Sequence, residues 1–294
     1  MTTELEHAVA AAPLETPSDG APTTVIEPRP GWRPLDLREL WRYRELLWFM
    51  AARDVKVRYK QTVLGAAWAI LQPLLTMLAF TVFFGRLGGL DQRNSIPYPL
   101  LTFCALLPWQ LFEYSLTQCG NSLVASERLI TKVYFPRLVI PLAAVASGLV
   151  DFAVSLGCLA LLMLWYGVAP GWQIVALPAF TLLALVTALA VGLWLSALNV
   201  QYRDVRYTIP FLSRFWLFVT PVAYTSDIVP HRWRALFGLN PMTGVVEGFR
   251  WALLGAEEAA PGWQLATSTA VTAALLVGGL YYFRRMEKSF ADVV

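Results

Sequence analysis

The chain has 294 residues, of which 57% are hydrophobic and only 15% are charged, and its mean hydropathy is +0.52. Soluble domains carry about 25% charged residues, so this composition predicts an integral membrane protein. A net charge of +3 is too small to indicate a nucleic-acid partner. Only two histidines, His7 and His231, are present and they are far apart, which argues against a Ser-His-Asp triad or a histidine-based metal site.

The first 62 residues divide into two parts. Residues 1–34 contain six prolines and too little apolar material to offset the entropy of ordering them, so we predict a disordered tail. From 35 to 62, apolar residues recur at helical spacing while basic residues lie mostly on the opposite side. Because Trp41 and Trp48 fall on the apolar side, we predict an amphipathic helix in the plane of the membrane surface. An ordinary solvated helix packed on a core is the alternative.

Residues 63–294 contain six apolar segments, each near the roughly 20 residues that a bilayer requires. The third is overlong, which predicts a tilted helix or an end at the membrane interface. We therefore predict an all-α integral membrane fold with six transmembrane helices, at about 63–84, 98–118, 138–166, 174–198, 209–227 and 264–283.

The positive charges orient these segments. Seventeen of the 23 Lys and Arg residues fall on the side of the N-terminus and five on the other, with Arg214 inside the fifth segment. By the positive-inside rule the first side is cytoplasmic, so both termini are expected inside the cytoplasmic membrane. The stretch 227–262 then lies outside. Its apolar part, "NPMTGVVEGFRWALLG", is interrupted by glycines and a charged pair, which favours a partial dip into the membrane over a crossing.

The first predicted span contains an amide and a helix breaker, Gln72 and Pro73. About ten residues at 1.5 Å each bring both near the middle of the membrane. Pro73 leaves the carbonyl of Ala69 without its helical donor, and polar groups at that depth usually face protein or an aqueous cavity. The pair therefore predicts a hydrated cavity beside this span.

Three charged residues lie inside the predicted spans and away from their ends: Glu113, Asp151 and Arg214. Because isolated charges are costly in hydrocarbon, each is expected to pair or to face water. The simplest pairing joins Arg214 to Glu113 or to Asp151, and the sequence leaves both options open.

Three stretches together resemble a known family. They read "VRYKQTVLGAAWAILQPLL", "LLPWQLFEYSLTQCGNSLVASERLITKVYFPRLVIPLAAV" and "NVQYRDVRYTIPFLSRFWLFVTPVAYTSDIVPHRWRALFGLNPMTGVVEGFRWALLG". In this order they resemble the ABC-2-type permeases that export polysaccharides, the O-antigen and teichoic-acid exporter group. None of the four lysines follows a glycine, so the chain has no GxxxxGK[ST] loop for nucleotide.

The resemblance implies a transporter subunit and not an enzyme. Two copies of the permease would pair with two ATP-binding subunits and move a lipid-linked glycan across the membrane. ATP and Mg would be bound by that partner, and this chain would bind no cofactor. The loop between the second and third spans would form a short coupling helix docked on the ATPase, presenting Glu127, Arg128, Lys132, Tyr134, Phe135 and Arg137. Aromatic and Arg side chains are common in interface hot spots, although such charges can also merely set topology.

Two further sets of residues are candidate sites. Sugars present hydroxyls and apolar faces to polar and aromatic side chains, so the candidate channel lining consists of Trp68, Gln72, Trp109, Phe112, Tyr114, Phe211 and Trp216. Interface anchoring or lipid contact is the alternative for each aromatic residue. In the resembling family the region before the last span forms short re-entrant helices that gate the external exit. The candidate gate residues there are Asn240, Pro241, Glu247, Arg250 and Trp251.

The sequence thus predicts the membrane subunit of an exporter of a lipid-linked polysaccharide or teichoic-acid-like polymer, with lipids and a second copy as neighbours. An ABC-2 permease for a drug or small lipid shares the topology and is the alternative. A membrane enzyme would need a clustered acid/base or metal constellation, which the sequence does not offer. A proton-coupled transporter would need more titratable groups near the membrane centre.

Overall fold

The computed structural model describes residues 37–60, 65–91, 96–255, 260–287 and 290. The predicted tail, 1–34, lies outside these ranges. Within them the chain is helical, and no β-strand occurs among the described residues. The all-α part of the prediction is therefore confirmed.

The N-terminal region forms two helices, α1 (Leu37–Arg42) and α2 (Arg44–Lys60). Met50 and Ala51 of α2 are buried, whereas Trp48 and Phe49 are 75% and 68% exposed. The buried side packs on the later helix α6 (Val139–Ala146). Exposed Trp and Phe on the other side are compatible with a helix at a membrane surface, which stays a prediction.

Four described helical stretches are long and apolar enough to cross a membrane: Ala67–Leu87, Val139–Tyr166, Trp172–Gln201 and Trp263–Met286. The predicted spans at 98–118 and 209–227 coincide with α4 (Tyr98–Ala125) and α9 (Val205–Val219), which are not among the four. Helix α4 is long but carries several polar residues, and α9 has only 15 residues, a length of about 22 Å. Six crossings therefore remain a prediction.

Three of these four candidate stretches are not uniform helices. The first consists of α3 (Gly65–Phe80) and a π-helical segment, Thr81–Leu87. The second, which the sequence makes overlong, divides into α6 and α7 (Leu149–Tyr166). The third joins a 3-10 turn, Trp172–Ala176, to α8 (Leu177–Gln201), and the fourth is α12 (Trp263–Met286).

The remaining helices are shorter. They are α5 (Glu127–Lys132), α10 (His231–Gly238) and α11 (Pro241–Leu254). Of the 14 residues of α11, 12 are buried, because it packs against α4, α8 and α12. At about 21 Å it is too short to cross a 30 Å hydrocarbon core, which fits the predicted partial dip without testing it.

The core is built around α4, which packs against α3, α6, α7, α8, α9 and α11. Its contact with α8 is the most extensive, and small residues let the two backbones approach. A Cβ added to Gly192 of α8 would lie 2.5 Å from the sulfur of Cys119 on α4. Cys104 and Cys119 are both buried at 0% exposure, and so behave as small apolar residues of this core.

Candidate functional site

A cavity of about 260 Å³ lies between α3, α4 and α7. Its lining is more polar than the apolar helices around it, and Gln72 and Gln118 at its open side are exposed. Helix α3 contributes Gln72 and α7 contributes Asp151 and Ser155, while α4 contributes most of the polar groups. The full polar set is Gln72, Gln110, Glu113, Tyr114, Thr117, Gln118, Asp151 and Ser155. A lining of carboxylate, amide and hydroxyl groups suits water or a hydroxyl-rich ligand.

The proline inside α3 lies beside this cavity. Ala69, Gln72 and Pro73 all line it, so the helical turn interrupted by Pro73 borders the open space. One turn further on, the hydroxyl of Thr76 donates to the carbonyl of Gln72 at 2.9 Å. This placement agrees with the reasoning that put a proline and an amide next to a cavity, and a transport role for Gln72 stays a prediction.

The polar groups on α4 follow one helical face. Gln110, Glu113, Thr117 and their neighbours Tyr114 and Gln118 recur at intervals of three and four, which brings them to one side of the helix. The same spacing recurs on α7, where Asp151 and Ser155 line the cavity. This stripe is visible in the sequence, and the sequence analysis missed Gln110, Thr117 and Gln118 because apolar residues dominate the segment around them.

A cluster of charged and aromatic side chains bounds the cavity on the side of α2. Arg58 and Tyr59, at the end of α2, both donate to the carboxylate of Asp151 on α7. The guanidinium of Arg58 lies over the ring of Tyr114, 4.1 Å from its centroid. The Tyr114 hydroxyl is 3.1 Å from that of Ser147, at the junction of α6 and α7. The cluster therefore joins α2, α4 and the α6–α7 junction.

This cluster corrects one expectation. Asp151 pairs with Arg58, so the pairing of Asp151 with Arg214 is wrong. Glu113 accepts a long hydrogen bond of 3.4 Å from Ser213 on α9, next to Arg214, whose own side chain is exposed. A partner 93 positions away in the chain is not visible from the sequence alone, which explains why Arg58 was counted only as a charge that orients the chain.

Burial and the bond to Asp151 raise the pKa of the Tyr59 phenol to about 12. Burial disfavours the charged phenolate. The Asp151 carboxylate accepts a hydrogen bond from the neutral phenol and would repel the negative charge of a phenolate. Tyr59 is therefore protonated at neutral pH and acts as a hydrogen-bond donor in the cluster.

The predicted channel-lining residues do not share one location. Gln72 and Tyr114 line the cavity. Trp68 and Phe211 are on outer surfaces, 55% and 72% exposed. Two others, Trp109 and Phe112, are buried in the core at 1% and 0% exposure, and their tilted rings lie 5.3 Å apart between centroids. Phe112 also packs edge-on against the seventh residue of the set, Trp216.

The residues of the predicted coupling segment differ in how far their side chains are exposed. Glu127, Arg128 and Lys132 of α5 are exposed, and Tyr134 is 69% exposed. Phe135 is buried at 5%, so it cannot present its ring to a partner, and its prediction as a contact residue is corrected.

The sixth residue of that segment, Arg137, points back into the chain. Its guanidinium donates to the carbonyl of Glu287, after α12, and lies 6.0 Å from the ring centroid of Phe290. The role of Arg137 seen in the structure is to tie the α5–α6 connection to the end of α12. Docking of the exposed residues on an ATPase stays a prediction.

The predicted gate residues are packed and hydrogen-bonded. Asn240 caps α11, its side-chain oxygen accepting from the Met242 amide at 3.0 Å and from the Trp216 indole at 2.9 Å. Its amide nitrogen donates to the Thr220 hydroxyl at 3.0 Å. Pro241 then occupies the first position of α11, where a proline costs no helical hydrogen bond.

The other gate residues hold the loop before α10. Arg250 is 2% exposed and donates to the carbonyls of Val222 and Tyr224 at 2.9 and 3.1 Å. Glu247 accepts from the hydroxyl of Ser226 in the same loop. Trp251 packs edge-on against two aromatic rings, those of Trp172 and Phe180. The structure thus shows a braced loop, and its opening as a gate stays a prediction.

Comparisons with known proteins agree with this architecture. Residues 45–254 match the family described as ABC-2 type transporter. An O-antigen export system permease protein, RfbA, of Myxococcus xanthus is 33% identical over 261 residues, which cover 88% of this chain and 98% of that relative. A protein of the same name from Klebsiella pneumoniae is 27% identical over 252 residues, covering 85% and 95%. The polysialic acid transport protein KpsM of Escherichia coli is 23% identical over 206 residues, covering 69% and 78%.

Proposed function

Because the chain belongs to the ABC-2 type transporter family, we propose that it is the membrane permease of a polysaccharide exporter. In this proposal it moves a lipid-linked polysaccharide across the cytoplasmic membrane, driven by ATP hydrolysis in a separate subunit. The observation that carries the proposal is the match to the Myxococcus O-antigen export permease, which extends over 98% of that relative.

The polar cavity supports a hydrophilic cargo. Amide and carboxylate groups at the depth of Gln72 and Glu113 are costly in a bundle that faces only lipid. A sugar can satisfy them, because its hydroxyls both donate and accept hydrogen bonds. A drug or a small apolar lipid would leave the same groups without partners.

The size of the cavity supports a second copy of the chain. At about 260 Å³ it is smaller than the roughly 300 to 1,000 Å³ of sites for drug-sized molecules. One chain alone therefore encloses too little space for a polymer. In the proposed assembly two copies form the path between them, and two ATP-binding subunits attach on the cytoplasmic side.

The exposed part of the coupling segment supports an attachment point there. Arg128, Lys132 and Tyr134 project from a short helix and the loop that follows it, and Tyr134 is a large aromatic left 69% exposed. Exposed Arg and Tyr are common energetic centres of protein interfaces. Because Arg137 ties the segment to the end of α12, a force on the segment would reach two helices of the bundle.

The test is a strain in which this gene is deleted and then complemented. Without the permease, surface polysaccharide is expected to disappear while lipid-linked polymer accumulates on the cytoplasmic side. Unchanged surface polysaccharide, with loss of export of a drug or small lipid instead, would overturn the choice of cargo.

Complementation with variants tests the coupling segment in the same strain. Arg128→Glu and Tyr134→Ala are expected to insert normally and to fail in export, because only the contact with the ATPase is lost. Tyr166→Ala, at the far end of α7 where the side chain is also exposed, is the matched control and is expected to restore export. Full export by both loop variants would count against docking through α5.

A further inference from the structure

The cluster of Arg58, Tyr59 and Asp151 lies between the end of α2 and the wall of the cavity, and the packing of apolar side chains does not account for it. Arg58 and Asp151 are only partly buried, with side-chain exposures of 28% and 29%. Asp151 lines the cavity, whereas Arg58 and Tyr59 belong to the end of α2, four undescribed residues before α3 begins. The cluster thus connects the surface helix α2 to the wall of the cavity.

The rest of the contact of α2 with the bundle is different in kind. Met50 and Ala51, in the middle of the helix, are buried apolar residues in a helix that packs on α6. The end of α2 is held instead by directional bonds from two donors to one carboxylate. Contacts between buried apolar side chains persist through small movements. A charge-assisted hydrogen bond, in contrast, is lost when the distance between its donor and acceptor grows by a few tenths of its value.

Movement at this point would reach the cavity directly. Helix α3 follows α2 in the chain, and Ala69, Gln72 and Pro73 of α3 line the cavity opposite α7. Tyr114, which also lines the cavity, lies under the guanidinium of Arg58. Release of the end of α2 would therefore remove one restraint on α3, which still packs on α4 and α7, and would uncover Tyr114.

We propose that Arg58, Tyr59 and Asp151 form a latch that fastens the end of α2 to α7 and keeps the cavity narrow, and that its release widens the cavity. The latch rests on the proposed function for its purpose, which is to admit cargo. Its geometry and its test do not depend on which cargo is exported.

The test measures access to the cavity and not export. Ser155 lines the cavity and is 6% exposed, so Ser155→Cys places a small reactive probe there with little change in volume. The three native cysteines are replaced by alanine, and inside-out membrane vesicles are treated with a charged, water-soluble methanethiosulfonate. The rate of labelling reports how often the cavity opens to water.

Breaking the latch is expected to speed this labelling about tenfold, the order expected from losing a hydrogen bond to a charged group. The variants are Asp151→Asn and the milder Tyr59→Phe, which removes one hydroxyl and serves if the first fails to insert. The double exchange Arg58→Asp with Asp151→Arg is expected to return the rate toward that of the parent, because the pair is restored with opposite polarity.

A second probe separates a latch from general loosening. Thr131→Cys lies on α5 and is exposed in this chain, so in vesicles that contain no ATP-binding subunit its labelling rate is expected to be the same in every variant. An unchanged rate at Ser155→Cys in both latch variants would overturn the proposal. So would an equal acceleration at Thr131→Cys, since that indicates loss of structure. If export failed to match the proposed function while the Ser155→Cys rates behaved as expected, the latch would stand on its own.

Discussion

Asn240 provides a quantitative test of how the last helices are held together. Its side chain caps α11 through the Met242 amide and reaches outside its own helix to Trp216, Thr220 and the Val219 carbonyl. The residue is 8% exposed, so water cannot replace these partners. The substitution Asn240→Ala removes all four hydrogen bonds at once.

The expected loss can be estimated from these contacts. An N-cap is worth about 1 kcal/mol, and side-chain hydrogen bonds between helices in membranes average about 0.6 kcal/mol each. The change should therefore cost about 2 to 3 kcal/mol. At roughly 2 to 4 °C per kcal/mol, this lowers the midpoint of thermal unfolding by about 4 to 12 °C.

Asn199 is the matched control, because it is another buried asparagine that joins two helices. It makes two hydrogen bonds, to the carbonyl of Gly120 at 2.9 Å and to the side chain of Asn121 at 3.1 Å, and it caps no helix. Asn199→Ala should therefore cost about 1 kcal/mol. Asn240→Asp keeps the capping oxygen and should fall between the two alanine variants.

The assay heats detergent-solubilised protein and measures the fraction that still elutes as a folded species. The midpoint of Asn240→Ala is expected to fall clearly below that of Asn199→Ala. Equal midpoints for the two would refute this expectation, because they would mean that the cap and the bond to Trp216 contribute nothing measurable.

Two further predictions use other features of the chain. Gly248→Ala is expected to destabilise by about 1 to 3 kcal/mol, because its new Cβ would lie 2.3 Å from the Phe180 ring, whereas Gly157→Ala meets nothing within 4 Å and should stabilise by about 0.5 to 1 kcal/mol. The same heating assay measures the unfolding midpoints of both variants. A higher midpoint for Gly248→Ala than for Gly157→Ala would contradict the packing argument. Because the pKa of Tyr59 is raised from 10.0 to about 12, its contribution to stability is complete below pH 10 and is lost as the pH rises through 12. Ultraviolet titration of tyrosinate in the parent and in Tyr59→Phe should differ by one late-titrating tyrosine, which Asp151→Asn shifts to lower pH, and no shift in Asp151→Asn would argue against the bond.

The candidate site was accessible to sequence reasoning only in part. Pro73 and Gln72 indicate a cavity beside α3, since a helix breaker and an amide within an apolar run require something other than lipid. The sequence does not indicate the other walls of the cavity, which are α4 and α7. Glu113 and Asp151 lie on these helices, and the sequence does not show which helices pack against each other. The charges in the sequence left both Glu113 and Asp151 as possible partners of Arg214. In the structure Asp151 pairs instead with Arg58, which lies on α2.

Aromatic residues were the least predictable part. Phe135 follows exposed Tyr134 in the chain, yet one ring is buried and the other projects from the surface. Trp109 and Phe112 are equally ambiguous, because large rings suit a channel wall, a lipid-facing surface and a packed core alike. Their burial depends on which helices surround α4, and local pattern carries no information about that.

The sequence by itself determined that the chain is helical and apolar enough for a membrane, and it located the four candidate membrane-crossing stretches to within a few residues. These properties follow from composition and from residues near one another in the chain. Only the tertiary structure decided that α2 is fastened to α7 through Arg58 and Asp151, and that Asn240 and Arg250 hold the last helices and their loop. Such contacts join residues 20 to 93 positions apart, and a hydrogen bond forms only where folding has already brought its two atoms within about 3 Å.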